Sequence, residues 1–351
     1  MTGVSVVVPV HNAGVALIDT VRSILAQAAP ALPLEVILVD DRSDDAAVDL
    51  VRREFPGAPL MAIEADGLGA AAAINRGLAS ARHPFIAQVD QDVVLGAGWL
   101  KQLLPAVAAR DVAAAQGQYV TDERASLLSR VMGRDLQERY ASLDADTGHV
   151  CTGNVVYRAA ALRHVGGFDG SLGYGYDNDL SYRLRAAGYR LRYVPAAQST
   201  HRWRDSLAGY VRQQYGFGYG RLDLVAKHRG RLTGDSVSPA MMMAHPVITA
   251  VALGLLASAG VLPAFAPASL NAGILLLVAL AADRAWVGAR AARRFGDWVP
   301  LLFPVVHFVR DLAWVAAIAV WLIRRVAGAR THPRHSMQPR RVADDREAGT
   351  A

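Results

Sequence analysis

The stretch 84-PFIAQVDQDVV-94 poses the question that decides the fold. Its first half is a short apolar run, the pattern of a strand covered on both faces. It ends in two carboxylates, Asp90 and Asp92, separated by one residue. In an extended chain, side chains at i and i+2 leave the same face. The two acids therefore point the same way and repel each other. A divalent cation between them would make the pair tolerable.

Working upstream, the same unit recurs. "VSVVVPV" (4–10), "LEVILVDD" (34–41) and "PLMAIEA" (59–65) are strand-like runs. Between them and the opening stretch, residues 13–27, 46–55 and 69–81 carry apolar residues at helical spacing. This alternation predicts an α/β fold with a doubly wound, mostly parallel sheet, whose ligand sits at the carboxyl ends of the strands. Asp40, Asp41, Asp90 and Asp92 all fall at such ends. A further strand is expected at 189–195, with His201 after it.

The whole chain sets bounds on that core. Its 351 residues suit one large domain plus an appendage. A single cysteine, Cys151, excludes a disulfide framework and a multi-cysteine zinc site, and fits a reducing compartment. The net charge of +6 is uneven, with arginines crowded into the last hundred residues. That favours a membrane surface or an anionic small molecule over nucleic acid, for which no motif is present. The N-terminus opens on a strand, with no visible signal peptide.

After about residue 235 the composition becomes strongly apolar. Residues 245–265 and 270–289 are long enough to span a bilayer, and 299–325 forms a third such segment. Arg310 and Asp311 interrupt the third. An arginine at the bilayer centre costs about 2.5–3.5 kcal/mol on insertion scales, so an in-plane placement is expected there. A full third span would also export Arg324, Arg325, Arg330 and Arg334, against the positive-inside rule. The expected organisation is an α/β domain over 1–235, a membrane-associated helical region over 236–325, and a basic, disordered tail over 326–351.

Two motifs compete for the function. "GLGAAA" (67–72) matches G-x-G-x-x-A after a strand, with Asp90 about twenty residues on, as in a dinucleotide-binding oxidoreductase. It sits at the third strand rather than the first, and leaves Asp92 unexplained. "LGYGYDNDLSYRLRAAGY" (172–189) opens a helix with Asp177 and Asp179 in its first turn. The helix dipole accounts for one such acid more easily than for two. The loop before them offers tyrosine rings of the kind that hold a sugar.

Six segments in order now carry a resemblance: "VSVVVPVHNAG", "VILVDDRSDD", "GLGAAAAINRGLASA", "VDQDVVLGAGWL", "GNVVYRAAALRHVGGFD" and "DNDLSYRLRAAGYRLRYVP". From Val4 to about Arg204 the chain resembles the family 2 inverting glycosyltransferases of the A-type nucleotide-sugar fold. The resemblance implies that Pro9, His11 and Asn12 meet the nucleotide, and that Asp40 or Asp41 reads the base and ribose. It implies Asn75, in A-x-N-x-G, on the donor wall. Asp90 and Asp92 fill the D-x-D motif, which in this family holds the donor diphosphate through Mg²⁺ or Mn²⁺. Asp177 falls at the general base, and His201 matches a histidine that often completes the metal or phosphate shell, with a lone structural imidazole as the alternative.

Two departures bear on the function. Tyr176 stands where the family usually has an acid before its base. The Q-x-x-R-W segment of chain-extending synthases is missing, its place taken by "YVRQQYGFGYGRL" (210–222). The expectation is therefore non-processive transfer from a nucleotide-sugar donor to a lipid-linked or glycan acceptor. It would occur at the cytoplasmic face of the cell inner membrane, as in exopolysaccharide assembly. A degenerate nucleotide-sugar-binding protein is the competing reading.

Overall fold

The computed structural model describes residues 3–261 and 263–328. Its first half follows the expected alternation: β1 (Val4–Val10), α1 (Ala16–Leu25), β2 (Leu34–Asp40), α2 (Ala47–Glu54), β3 (Leu60–Glu64), α3 (Ala70–Ser80) and β4 (Phe85–Val89). There follow β5 (Val93–Leu95), α4 (Trp99–Ala106), β6 (Val112–Val120), α5 (Leu127–Tyr140) and β7 (Asp146–Thr147). The domain continues with β8 (Asn154–Arg158), α6 (Ala159–His164), α7 (Tyr176–Ala186), β9 (Arg190–His201) and α8 (Leu207–Lys227). The apolar region is α9 (Ala240–Val261), α10 (Ala266–Phe295) and α11 (Phe303–Val326).

One sheet runs in the order β3-β2-β1-β4-β8-β6-β9-β5, with β7 on β9. The four strands β3-β2-β1-β4 are parallel, and the order reverses between β1 and β4. Ligands bind outside the strand ends at such a switch point. Beyond β4 the sheet is mixed. β8 lies antiparallel to both β4 and β6, while β6 and β9 pair parallel. Alternation along β1 sends Val6 and Val8 to the layer of α1 and α4, and Val7 to the layer of α3 and α7.

β9 outruns its expected end. Its pairing with β6 slips between Gly117 and Gln118, where Gly117 faces Val194 but Gln118 faces Gln198. Residues 195–197 bulge out, which accommodates Pro195 and lets the strand continue to His201. There β9 meets β5 antiparallel, with His201 opposite Val93.

The described C-terminal helices include three long and apolar enough to cross a membrane. α9 and α10 pack as a hairpin with exposed Val247, Val251, Ile274, Leu275 and Val278. α11 is one continuous helix that lies along α8: Tyr210 donates to the Val306 carbonyl (3.2 Å), and Trp321 donates to Asp223 (2.7 Å). Arg310 and Asp311 are buried between helices, with Asp311 3.7 Å and Asp283 3.2 Å from His245. The charges in the third segment thus face protein rather than lipid. α5 ties the α/β domain to this region through Arg134–Asp297 (2.9 Å), Glu138–Arg290 (2.8 Å) and Asp135–His307 (3.2 Å). The expected tail lies outside the described residues after 328.

Candidate active site

The site grows from the end of β4. Gln88 and Asp90 leave the same face, so Gln88 reaches its neighbour and donates to Asp90 Oδ1 (2.8 Å). The Gln88 side-chain oxygen, Oε1, accepts from the Gly153 amide, tying β4 to the loop before β8. Gly153 sits at φ +87°, and a Cβ there would run into Asp90 Oδ2 and the Tyr119 hydroxyl. Gln91, between the two acids, clamps β1 instead: it accepts from the His11 amide (2.7 Å) and donates to the His11 carbonyl (3.1 Å). Neither glutamine was singled out from sequence. Gln88 was legible from the strand parity, Gln91 from nothing local.

Asp90, Asp92 and His201 come together: each offers one ligand atom, and all lie within 4.8 Å of one another. The β5–β9 register brings His201 Nε2 to 3.5 Å from Asp92 Oδ1. His201 stacks on Trp203 at 4.1 Å and meets Tyr119 edge-on. Burial lowers its pKa against the pull of Asp92, which favours the neutral imidazole, and its Nδ1 is buried with no hydrogen-bond partner among the described residues. Burial and then repulsion from Asp92 push the Asp90 carboxyl up to about 7, Gln88 opposing and Asp177 adding to the rise.

The residues expected on the donor side separate into two kinds. Asp41 is buried and its carboxylate accepts from three backbone amides, Gly67 (2.8 Å), Leu68 (3.1 Å) and Gly69 (2.8 Å). Positive φ at Gly67 and Gly69 turns those amides inward. The amides that a dinucleotide pyrophosphate would need in "GLGAAA" are therefore already satisfied by Asp41. Asp40 keeps one oxygen free of such ties, the other accepting from the Ser43 amide (2.9 Å). His11 and Asn12 hold the β1 and β2 loops together: His11 Nδ1 meets the Asp41 carbonyl (2.9 Å), and Asn12 accepts from the Asp44 amide (2.7 Å). Pro9 lies within β1, paired with Val39. Asn75 uses its carboxamide on the Phe168 backbone in both directions, while its flank lines a cavity of about 250 Å³ with Ala65, Asp66, Leu68, Ala72 and Arg76.

Asp41 makes a stability prediction. Hydrogen bonds to a charged acceptor contribute about 1.5–3 kcal/mol each, not additively. Asp41→Ala is expected to lower the melting temperature by several degrees, the loss of roughly 3 kcal/mol in a chain of this size. Thermal unfolding of the detergent-solubilised protein measures it, and an unchanged midpoint would remove Asp41 from this anchoring role.

On α7 the two candidate acids part company. Asp179 is fully buried and paired with Arg183 (2.8 Å), Lys227 (2.6 Å) and His228 (2.7 Å). It ties α7 to the end of α8. Asp177 keeps about a fifth of its side-chain surface exposed. Its Oδ1 accepts from the Asn178 amide (2.9 Å), and its Oδ2 lies 3.7 Å from His149 Nε2. Tyr176 is no acid substitute: its ring packs edge-on against Phe168, and burial raises its pKa. The Tyr174 ring, expected to face a sugar, instead lies over Gly216 of α8, with the Tyr174 backbone against Gly220.

Known proteins match this architecture. Residues 2–219 fit the profile described as glycosyltransferase like family 2. A pre-mycofactocin glycosyltransferase of Mycobacterium tuberculosis is 30% identical over 335 residues, spanning 92% of this chain and 67% of the relative. The succinoglycan biosynthesis protein ExoA of Rhizobium meliloti is 28% identical over 52% of this chain and 51% of its own. Among solved structures, the mannosyltransferase PcManGT of Pyrobaculum calidifontis superposes with a TM-score of 0.59 at 21% identity, covering 91% of this chain and 86% of that one. TarS of S. aureus superposes at 0.52 and 15% identity, over 94% and 93%. The structural likenesses establish the fold, and the sequence matches the family. The chain belongs to the glycosyltransferase-like family 2 and is a glycosyltransferase of the A-type fold with an apolar helical C-terminus.

Proposed function

We propose that this enzyme moves one sugar from a nucleoside-diphosphate donor to an acceptor hydroxyl, with inversion and with a divalent cation. The observation that carries the reading is the convergence of Asp90, Asp92 and His201 within 4.8 Å. Two mutually repelling carboxylates and a neutral imidazole suit Mn²⁺, which accepts both oxygen and nitrogen ligands. Stacking on Trp203 fixes the His201 ring with Nε2 toward Asp92. A cation held there supplies positive charge against the departing diphosphate. PcManGT was solved with GDP-Man and Mn²⁺, and TarS with UDP-GlcNAc, which supports the same donor class here.

The chain's own residues do the rest. Asp40 and the loop carrying His11 and Asn12 meet the nucleoside, with the cavity beside Asn75 adjacent. Asp177 takes the acceptor proton as the acceptor oxygen bonds to the anomeric carbon. The bond from that carbon to the diphosphate oxygen breaks with its electron pair. A single base opposite the leaving group makes one displacement, hence inversion. The missing Q-x-x-R-W segment supports single transfer. For the membrane, the α9–α10 hairpin inserts while α11 stays on α8 at the interface. That leaves Arg290, Arg293, Arg294, Arg324 and Arg325 on the side of the catalytic domain, which the positive-inside rule assigns to the cytoplasm. A lipid-linked or glycan acceptor suits that placement. A pre-mycofactocin acceptor is the second reading, because the match to that relative covers 92% of the chain, its apolar helices included.

A thermal-shift panel of UDP, GDP, dTDP and NAD, each with and without Mn²⁺, tests the donor site. One nucleoside diphosphate should raise the melting temperature only with metal, by several degrees at a hundredfold excess over its dissociation constant, about 2.7 kcal/mol. Stabilisation by NAD regardless of metal sinks the proposal.

A further inference from the structure

We infer that His149 is the positioning residue of the base, its Nε2–H aimed at Asp177 Oδ2 and its ring fixed from behind by Cys151 and Tyr140. This rests on the proposed role of Asp177. His149 is 3% exposed, and its Nε2 has no hydrogen-bond partner among the described residues. The atom facing it is Asp177 Oδ2 at 3.7 Å, a gap that a shift of about half an ångström closes to a hydrogen bond. Catalytic contacts are often long before substrate binds.

Behind the ring, Nδ1 lies 3.9 Å from Cys151 Sγ, and the Tyr140 hydroxyl donates to that sulfur at 2.9 Å. With its lone pairs so engaged, the thiol turns its S–H toward Nδ1. A neutral imidazole whose Nδ1 accepts must carry its proton on Nε2, and a charged one carries it there as well. Either way the nitrogen facing Asp177 is a donor. The loop is itself fastened to the helix of the base: the Val150 amide donates to Ser181 on α7 (3.1 Å), and Thr147 brackets the His149 backbone. The chemistry gives a role to the chain's one cysteine: it orients the imidazole.

The titratable groups around His149 are Asp177 from α7, Cys151 and Tyr140 behind it, and Asp235 from the segment after α8, which Arg221 and Tyr182 already hold. Removing the donor leaves the carboxylate of the base less favoured in its charged form, so a higher pH is needed to keep it ready.

His149→Ala is therefore expected to move the acid limb of the kcat–pH profile up by about one unit and to lower kcat several-fold. His149→Gln, which restores an N–H, recovers part of the shift. Cys151→Ala gives a smaller shift in the same direction. The readout is nucleoside diphosphate release from the nucleotide sugar whose base the thermal-shift panel selects. Mn²⁺-dependent donor binding serves as the folding control and stays as in the wild type, and His149→Gln refills the buried space that His149→Ala empties. A wild-type profile in both His149 variants, with Asp177→Asn inactive, overturns the positioning role and leaves the base intact. An active Asp177→Asn overturns the base itself. Inhibition by Zn²⁺ that disappears in Cys151→Ala, with no shift in the profile, makes the trio a metal site and overturns the inference as well.

Discussion

Asp177→Asn is expected to lower kcat by about 10²–10⁴-fold while donor affinity stays within twofold, the range for removing a general base. The substitution keeps shape: the carboxamide oxygen still accepts from the Asn178 amide that Asp177 Oδ1 holds at 2.9 Å. What it loses is the capacity to take a proton. The other carboxylates described nearby are committed elsewhere, Asp235 to Arg221 and Tyr182. Asp179 is buried behind Arg183, Lys227 and His228, and Asp90 sits with Asp92 and His201. In barrier terms the loss is about 3–5 kcal/mol, at 1.36 kcal/mol per tenfold. Titration calorimetry with the nucleoside diphosphate and Mn²⁺ measures binding, and diphosphate release measures turnover. Loss of both together would move Asp177 to the donor site, and loss of neither would require another base.

How far the sequence went can be judged residue by residue. The β-branched runs at 4–10 and 34–40 announced buried parallel strands, because only a strand covered on both faces has no polar alternation. Asp90 and Asp92 were legible for the same local reason, the two-residue period. The choice between Asp40 and Asp41 was not legible, since the two are adjacent and alike. Only the inward turn of the amides at 67–69 separates a structural carboxylate from a free one. His201 was placed by resemblance, yet its meeting with Asp92 depends on a bulge at 195–197 and a register across more than a hundred residues. No local pattern encodes either. The cost assigned to Arg310 assumed lipid around it, whereas helix packing buries it against its neighbour Asp311, which His245 of α9 faces in turn. His149 lay unnoticed because a loop histidine carries no periodicity. Its meaning comes from what α7 brings beside it.

Asp90→Asn should have the opposite effects with and without metal, and the pH dependence separates them. In the folded protein the Asp90 carboxyl is pushed up to about 7 from an ordinary value of 3.8, first by burial and then by Asp92. A raised carboxyl holds its proton in the folded state where the unfolded chain has released it. Without metal, stability therefore falls as pH rises from about 4 to about 7, and the deficit persists above that. The neutral carboxamide escapes the penalty and can still meet Gln88. Metal-free Asp90→Asn is accordingly expected to melt at a higher temperature than metal-free wild type at about pH 8, the difference vanishing towards pH 4. With Mn²⁺ the order reverses. A cation must displace the Asp90 proton, so wild-type affinity climbs about tenfold per unit up to about pH 7 and levels off above it. The variant, left with Asp92 and His201, shows neither that slope nor the Mn²⁺-dependent rise on adding nucleoside diphosphate, and its turnover falls at least about 10²-fold. Melting curves at four pH values, with and without Mn²⁺, contain the whole test. A variant less stable than wild type at high pH without metal would mean that the two carboxylates do not strain the fold, and the physical case for a cation between them would fall.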